Sequence, residues 1–376
     1  MPDKNSEFLI RVEHLRACYT STRGIVKAVE DVSFGIREGE AVGIMGESGA
    51  GKSSIALAML GIFEKVARYG TSSGDESNRE LWEQRSAARK KGLTSKDIGK
   101  ELPGVEGSVW YKGKDLLALS DKEFRKIRGA EITYVPQSTT KSLNPYTNIE
   151  LQTAEALWAH DDDDVLFERE VLRRVLQALD LVELGDVDIR KALKPREFSM
   201  GEDQRILIAM ALIMNPVFMI LDEPTTALDV GVQRRIMDAI QLVRQKLKLT
   251  MLLLSNDLGL HAEASEQIGV MTAGRLVEFA DAATILKRPD HPFTQAFLMS
   301  NPTMEMMRRI REKGLILRGI PGAPPDMSKP PSGCVFHPRC EFCEERCKTE
   351  IPEYRLVDKE HWIACHRYGE LPQFEL

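Results

Sequence analysis

The sequence predicts an α/β fold built on a parallel sheet with helices on both faces. Short apolar runs alternate with helical stretches, and several of the runs end at small or polar residues. Strands that are apolar throughout are typical of a parallel sheet buried on both faces. The runs are EAVGIMG (40–46), EITYVPQ (131–137), VFMILDE (217–223), TMLLLSN (250–256) and IGVMTAGRLVEFA (268–280).

Length and composition set the broad class of the protein. A chain of 376 residues can hold a large core and more than one domain. With 43% hydrophobic and 29% charged residues it is typical of soluble globular proteins, and its net charge of −6 argues against a nucleic-acid partner. The N-terminus lacks a signal-peptide pattern, and no apolar run approaches the roughly 18 residues that span a bilayer. We therefore expect a cytosolic protein that can dock on a membrane protein.

The first run leads into a complete phosphate-binding pattern. GESGAGKS (46–53) fits G-x-x-x-x-G-K-[ST] and precedes a helical stretch. Glycines let backbone N–H groups point into a concave loop, and the helix N-terminus adds a positive dipole. Lys52 is expected to reach the terminal phosphates and Ser53 to ligate Mg²⁺. The predicted nucleotide-binding residues here are Gly46, Glu47, Ser48, Gly49, Ala50, Gly51, Lys52, Ser53 and Ser54.

A second apolar run delivers two carboxylates. VFMILDE ends in Asp222 and Glu223, and carboxylates at the end of an apolar run are costly unless they serve cations or water. Asp222 is expected in the Mg²⁺ shell. Glu223 is expected to orient and deprotonate the attacking water, which makes it the predicted catalytic base.

With these parts in this order, residues 8–285 resemble the ATP-binding-cassette ATPases. The resemblance implies a RecA-like P-loop ATPase core with an antiparallel β edge within residues 1–285. It also implies a helical subdomain at about 138–205, and a charged, solvated insertion occupies about 65–105. Tyr19 is then the aromatic that stacks on adenine, and Gln137 joins the Mg²⁺ shell.

Two further segments resemble parts that act across a cassette dimer. FSMGEDQR (198–205) resembles the signature motif that completes the partner subunit's ATP site, and ALD (227–229) resembles the dimer-interface loop. The resemblance assigns nucleotide contacts to Ser199, Gly201, Gln204 and Asp229.

The C-terminal sequence narrows the resemblance to the ATPase subunits of dipeptide and oligopeptide importers. Its segments HPFTQAF, IPGAPPD, GCVFHPRC and ACH lie in a predicted extension at 286–376, and SLNPYTNI follows Gln137. The family implies a pair of cassettes beneath two membrane-spanning permease subunits, peripheral on the cytoplasmic face and fed by an extracellular substrate-binding protein. Because related ATPases serve the import of nickel chelates or oligosaccharides, the resemblance does not identify the transported substrate.

Two departures from the family pattern bear on activity. Phe198-Ser199-Met200-Gly201 stands where Leu-Ser-Gly-Gly is usual, and Ser255-Asn256-Asp257 stands where the central residue is usually histidine. Asn256 can offer an amide N–H₂ to the γ-phosphate but no positive charge. We therefore expect an impaired ATP site and a non-identical partner ATPase. A catalytically silent regulatory cassette is the alternative, and a soluble cassette ATPase is less favoured because the chain has one cassette and no heptad run.

Five of the six cysteines lie between Cys334 and Cys365. Clustering in a chain without a secretion signal favours a metal or cluster site over disulfides. The spacing of Cys334, Cys340, Cys347 and Cys365 resembles that of the importer ATPases, which implies a 4Fe–4S cluster with a structural role. Four thiolates also suit tetrahedral Zn²⁺, and Cys343 adds a CxxC that a zinc site could use.

Overall fold

The computed structural model describes residues 7–70, 76–99, 101–161, 167–186, 193–226, 228–302, 307–308, 311–312, 314 and 319–372. The chain divides into two compact units. The first comprises Met1–Ile36, Gly43–Ala118 and Asn256–Leu376, and the second comprises Arg37–Val42 and Leu119–Ser255. The predicted C-terminal extension therefore shares a unit with the phosphate loop.

The strands of the described residues are β1 Ile10–Ser21, β2 Gly24–Ile36, β3 Ala41–Gly46, β4 Gly104–Tyr111, β5 Lys114–Asp115, β6 Ile132–Val135, β7 Phe218–Asp222, β8 Thr250–Ser255, β9 Gln267–Thr272, β10 Arg275–Asp281, β11 Arg355–Asp358 and β12 His361–Ile363. The helices are α1 Lys52–Met59, α2 Phe63–Gly70, α3 Glu76–Lys90, α4 Ser95–Ile98, α5 Asp121–Ile127, α6 Thr139–Ser142, α7 Ile149–Ala159, α8 Glu168–Leu181, α9 Met200–Leu212, α10 Val230–Leu247, α11 Leu258–Ala264, α12 Ala282–Lys287, α13 Pro292–Ser300 and α14 Glu345–Thr349.

The second unit contains the parallel strands that the sequence predicts. β6 pairs with β7 and β7 with β8, all parallel, so that Asp222 lies opposite Leu254 at the carboxyl end of the sheet. Every residue of β7 and β8 is buried, as expected for the apolar runs Phe218–Leu221 and Met251–Leu254 that they contain. Asp222 and Ser255 are the last residues of their strands, so both lie at the sheet edge where ligands bind in open α/β folds.

The first unit contains antiparallel strands. β1 pairs with β2 and β4, and β4 with β5, giving the order β2-β1-β4-β5. β10 pairs with β9 on one side and with β12 on the other, and β12 pairs with β11. The antiparallel edge that the family resemblance implied is present.

One strand expectation was wrong. The run 268–280 was expected as one strand of the parallel sheet, but it forms the antiparallel hairpin of β9 and β10. The chain reverses at Ala273 and Gly274, whose φ angles of 46° and 76° lie in the left-handed region that tight hairpin turns use. The apolar residues on both sides of the turn are buried, which explains why the sequence reads as one continuous run.

The insertion at about 65–105 is more ordered than its charge content suggested. Within its described residues, α3 buries Trp82 and Arg85, and Arg85 Nη1 lies 2.9 Å from the Glu106 carboxylate. The insertion was expected to be solvated and partly helical; it contains the helix α3, and one face of that helix is buried. Residues 71–75 and 100 of the segment lie outside the described residues.

The C-terminal segments of the first unit share a core with its strands. Phe293, Phe297 and Phe336 pack in one hydrophobic cluster with Val270 and Val277 of the β9–β10 hairpin. Phe293 and Phe336 form an edge-on aromatic pair with ring centroids 5.3 Å apart. The cysteine-bearing region is thus anchored by apolar packing.

Candidate functional site

The phosphate loop, Gly46–Ser53, joins β3 to α1 in the first unit. Gly46, Gly49 and Gly51 have φ angles of 158°, 79° and 108°. A Cβ on Gly46 would lie 2.1 Å from the Met271 carbonyl oxygen, and one on Gly51 would lie 2.1 Å from that of Ala28. Gly46 and Gly51 therefore let the loop pack closely against neighbouring backbone.

Lys52 lies inside the curve of this loop. Its side chain is buried, and Nζ donates to the carbonyl oxygens of Gly46 at 2.9 Å and Glu47 at 3.2 Å. The loop is closed by the Ala50 N–H, which donates to the Glu47 carbonyl at 3.1 Å. A fixed ammonium beside backbone N–H groups at the start of a helix is a site for phosphate.

Ser53 and Ser54, in the first turn of α1, are half-buried, and Ser48 and Gly49 are exposed at the tip of the loop. Tyr19, the predicted adenine contact, is half-buried on β1 in the same unit, with its ring centroid 6.5 Å from that of Phe63. Asn256 follows the end of β8, belongs to this unit, and is exposed. The adenine contact of Tyr19 and the γ-phosphate contact of Asn256 remain predictions.

The second unit holds the predicted Mg²⁺ carboxylate. Asp222 is buried at the end of β7, and its Oδ2 accepts a 2.8 Å hydrogen bond from the Tyr134 hydroxyl. Burial, followed by the neighbouring negative charge of Asp222, raises the pKa of Tyr134, so this phenol stays protonated and remains a donor. Tyr134 was missed by the sequence analysis.

Glu223, the predicted base, is held in an unusual backbone conformation. Its φ of 50° lies in the left-handed region, which is uncommon for a residue other than glycine and recurs at functional sites. Its N–H donates to the Leu254 carbonyl at 2.8 Å. The carboxylate oxygen Oε2 accepts from Thr226 Oγ1 at 2.9 Å and from Ser255 Oγ at 3.4 Å. Backbone and hydroxyls together fix the direction of this carboxylate.

Gln137 and the signature segment, Phe198–Arg205, also lie in the second unit. Gln137 follows the end of β6 and is exposed. Ser199 is the N-cap of α9, accepting from the Glu202 N–H at 3.4 Å in a capping box, and it remains exposed. Met200 is 49% exposed, so its side chain stands at the surface of the unit.

Two other signature residues are enclosed. Gly201 is buried, and a Cβ there would lie 2.4 Å from Cγ1 of Val232 on α10, so close helix packing requires glycine. Gln204 is 3% exposed, and its Oε1 accepts a 2.8 Å hydrogen bond from Thr139 Oγ1 on α6. This bond links α9 to the segment that follows Gln137. The predicted nucleotide contact of Gln204 stays a prediction.

Asp229, in the predicted dimer-interface loop, caps α10. Its Oδ1 accepts from the Val232 N–H at 3.0 Å, and the side chain is exposed. Ala227 of the same loop lies outside the described residues.

The four predicted cysteine ligands line one pocket in the first unit. Cys334, Cys340, Cys347 and Cys365 face it together with His337 and other residues, whereas Cys343 is absent from the lining. Burial raises the pKa of Cys334 to about 11 and that of Cys340 to about 12, and burial also raises the pKa of Cys365. We call this set of four thiols the thiol pocket.

The spacing of these sulfurs is informative. Zn–S bonds of about 2.3 Å place four tetrahedral sulfurs about 3.8 Å apart. Among the described residues, Glu278, Asp290 and His361 form a group of three possible metal ligands whose ligand atoms lie within 4.8 Å of one another. The described thiols form no such group. No three of the four sulfurs of the thiol pocket therefore lie within that distance of one another.

A contact that no sequence pattern signalled joins this region to the phosphate loop. Arg339, the residue before Cys340, donates from Nη1 and Nη2 to the two carboxylate oxygens of Glu47, both at 2.7 Å. The two residues are 292 positions apart.

Comparison with known proteins agrees with this geometry. The family model of the ABC transporter matches residues 29–99 and 91–226, and that of the oligopeptide/dipeptide transporter C-terminal region matches residues 277–347. The dipeptide transport ATP-binding protein DppD of Caldanaerobacter subterraneus subsp. tengcongensis is 35% identical over 368 residues, covering 96% of this chain and 98% of that protein. The oligopeptide transport ATP-binding protein OppD of Escherichia coli K12 is 31% identical over 352 residues, covering 94% and 91% respectively.

Solved structures confirm the predicted fold class. The dimeric, post-hydrolysis structure of the ATP-binding cassette MJ0796 with ADP and Pi is 25% identical, with a TM-score of 0.55 over 73% of this chain and 98% of that chain. CbiO1 from Clostridium perfringens, part of the ABC transporter complex cbiONQ, is 20% identical with a TM-score of 0.57, which shows a likeness of fold. The RecA-like core of the ABC cassette is therefore present. Taken with relatives that align along almost the whole length, these matches establish that the chain belongs to the ABC transporter family, as an ATPase of the dipeptide and oligopeptide transporter group.

Proposed function

We propose that this chain supplies the ATP-driven step of a membrane importer for peptides or related solutes. The observation that carries the proposal is the alignment of dipeptide and oligopeptide transport ATP-binding proteins over 94–96% of the chain, including its C-terminal region. Because the substrate of such an importer is selected by other subunits, oligosaccharides and nickel chelates remain alternative cargo. A silent regulatory cassette is the alternative role.

The proposed chemistry is transfer of the γ-phosphoryl group of ATP to water. The backbone and Lys52 of the phosphate loop bind the phosphates, and Tyr19 stacks on adenine. By the family pattern, Ser53, Gln137 and Asp222 would be the Mg²⁺ ligands, and the bound ion would neutralise negative charge on the phosphates. Support for Asp222 comes from its burial at a strand end, where the Tyr134 hydroxyl orients its carboxylate through Oδ2.

Glu223 is the proposed general base for the attacking water. Thr226 and Ser255 donate to its Oε2, and these hydrogen bonds direct the carboxylate that would accept the proton of the water. Asn256 is placed at the γ-phosphate by the family pattern, where it offers an amide donor instead of an imidazole. The loss of one positive electrostatic contact is expected to cost on the order of 10²-fold in rate.

A second ATPase subunit is the proposed partner, and we infer that it is non-identical. In this arrangement Ser199, Gly201 and Gln204 of the signature segment complete the partner's ATP site, with Asp229 at the dimer interface. ATP bound between two subunits favours the closed dimer, and hydrolysis allows it to open. The exposed Met200 and the neutral Asn256 are each expected to weaken an ATP site. In a homodimer both ATP sites would carry both departures, so the two departures support a partner with intact motifs.

The proposed location is the cytoplasmic face of the membrane, on two permease subunits that receive solute from an extracellular binding protein. Among the described residues, no helix is long and apolar enough to cross a bilayer. Exposed apolar side chains cluster in the segment that follows Gln137: Tyr146 is 77%, Leu151 43% and Trp158 46% exposed. Large exposed apolar groups in one segment support a docking role toward the permease.

The thiol pocket is the proposed site of a 4Fe–4S cluster, with zinc as the alternative. Four thiols in one pocket supply the required donor set. Because burial raises the pKa of Cys334, Cys340 and Cys365, binding of a metal group by these thiols must release protons. Anaerobic purification with iron and zinc analysis tests this assignment: a coloured protein with about four irons per chain supports it, and a colourless protein with one zinc contradicts it.

Reconstitution tests the whole proposal. The chain would be co-expressed with candidate permease subunits and a second ATPase, purified as a complex, and placed in proteoliposomes with a solute-binding protein. We expect ATP hydrolysis that rises when the binding protein carries a peptide, together with accumulation of that peptide. An assembled complex that hydrolyses ATP but accumulates no solute, or a chain that co-purifies with no membrane subunit, would contradict it.

A further inference from the structure

The contact between Arg339 and Glu47 joins the thiol pocket to the phosphate loop. Both guanidinium Nη atoms donate to the carboxylate in a fork that only arginine can make, each at 2.7 Å. The side chains are 6% and 18% exposed, so solvent screens the pair little. Arg339 and Glu47 lie in the same compact unit.

Arg339 is fixed on its other side as well. Its Nε donates to the Pro321 carbonyl at 2.7 Å, and its guanidinium carbon lies 5.9 Å from the centre of the Phe336 ring. Its backbone belongs to the short helical turn His337–Arg339 between Cys334 and Cys340. The position of the guanidinium therefore depends on the turn that lies between two of the four thiols.

Glu47 transmits this position to the loop. Its side chain binds Arg339, while its backbone carbonyl accepts from Lys52 Nζ at 3.2 Å and from the Ala50 N–H at 3.1 Å. A shift of Glu47 displaces acceptors that hold the phosphate-binding lysine and close the loop.

We propose that Arg339 is a positioning residue for the phosphate loop, and that through Glu47 it makes the affinity for ATP depend on the state of the thiol pocket. The inference rests on the proposed ATP site of Gly46–Ser53. Loss of the group proposed at the thiols moves the turn that carries Arg339 and loosens the loop.

The test measures the dissociation constant of Mg-ATP for the full chain by calorimetry. Arg339→Gln and Glu47→Gln are each expected to weaken binding by roughly two- to thirtyfold. Arg339→Lys keeps the charge but loses the fork, so it recovers only part of the affinity. Arg346→Gln is the matched control, since Arg346 lies on α14 near the same thiols and pairs with Glu350 at the surface. It should leave the affinity unchanged.

A double-mutant cycle separates positioning from general destabilisation. Cys340→Ser should weaken ATP binding in the wild-type background but have little further effect with Arg339→Gln, because coupled residues are non-additive. Equal effects of Cys340→Ser in both backgrounds would overturn the inference. If Arg339→Gln does not fold, the same cycle with Glu47→Gln decides the question.

The wild-type measurement separates the two proposals. A wild-type chain that does not bind Mg-ATP would overturn the proposed ATP site and this inference with it. Wild-type binding with unchanged affinity in Arg339→Gln and Glu47→Gln would overturn the inference alone.

Discussion

The Tyr134 hydroxyl lies 2.8 Å from Oδ2 of Asp222, so a phenol from β6 orients the carboxylate that ends β7. This donor occupies one oxygen of a buried acid whose predicted task is to bind Mg²⁺. The relationship sets the direction of the carboxylate before any cation arrives.

Tyr134→Phe tests that relationship. The variant removes one donor to a buried carboxylate, and hydrogen bonds to charged groups contribute about 1.5–3 kcal/mol. We expect the free energy of unfolding, measured by urea denaturation, to fall by about that amount, and the Mg²⁺ concentration needed for ATP hydrolysis to rise. Tyr146→Phe, at a 77% exposed position, is the control. Equal stability of the two variants would contradict the assigned role.

Gly201→Ala tests why the signature segment has glycine at position 201. The added Cβ would lie 2.4 Å from Val232 Cγ1, and overpacking of this kind costs about 1–3 kcal/mol. Val232→Ala in the same chain should restore most of the lost unfolding free energy. Gly319→Ala is the control, because nothing lies within 4 Å of a Cβ there. Failure of Val232→Ala to rescue would show that the glycine serves something other than this packing.

The pair of His361 and Glu278 predicts a pH dependence of stability. Burial opposes charge on the His361 imidazole, but the hydrogen bond and charge of Glu278, with Asp290 and Asp281 nearby, raise its pKa above 6.5. The stabilisation is therefore fully present below pH 6.5 and is lost as pH rises through the raised pKa.

His361→Gln removes this contribution. The difference in unfolding free energy between wild type and variant should be largest in mildly acidic buffer and shrink in alkaline buffer. His14→Gln, at an exposed histidine paired with Asp31, should cause little change at any pH. A difference for His361→Gln that does not vary with pH would contradict the prediction.

The sequence predicted those features that depend on neighbours along the chain. The phosphate loop and the strand that ends in Asp222 are continuous patterns, and both occur where they were expected. The 268–280 hairpin was missed because both of its strands are apolar, although Gly274 marked a possible turn. Because both strands are buried, their sequences lack the alternation of apolar and polar residues on which a prediction of two strands depends.

Contacts across long sequence separations could not be predicted. Tyr134 and Asp222 are 88 positions apart, and Glu47 and Arg339 are 292 apart. Nothing in the sequence Pro338-Arg339-Cys340 marks Arg339 as a partner of the phosphate loop. The proline and cysteine beside it point to the thiol pocket instead. Such pairs depend on how the chain is folded back on itself, which local patterns do not encode.

Single-turnover ATP hydrolysis by the assembled complex tests the central claim, that this chain is an ATPase whose own site is weakened at Asn256. We predict slow turnover at the wild-type site, none with Glu223→Gln, and a gain of roughly tenfold or more with Asn256→His, because an imidazole restores a charge-capable donor. Asn256→His without any gain, alongside complete loss with Glu223→Gln, would show that the site is fully active as it stands and would contradict the claim.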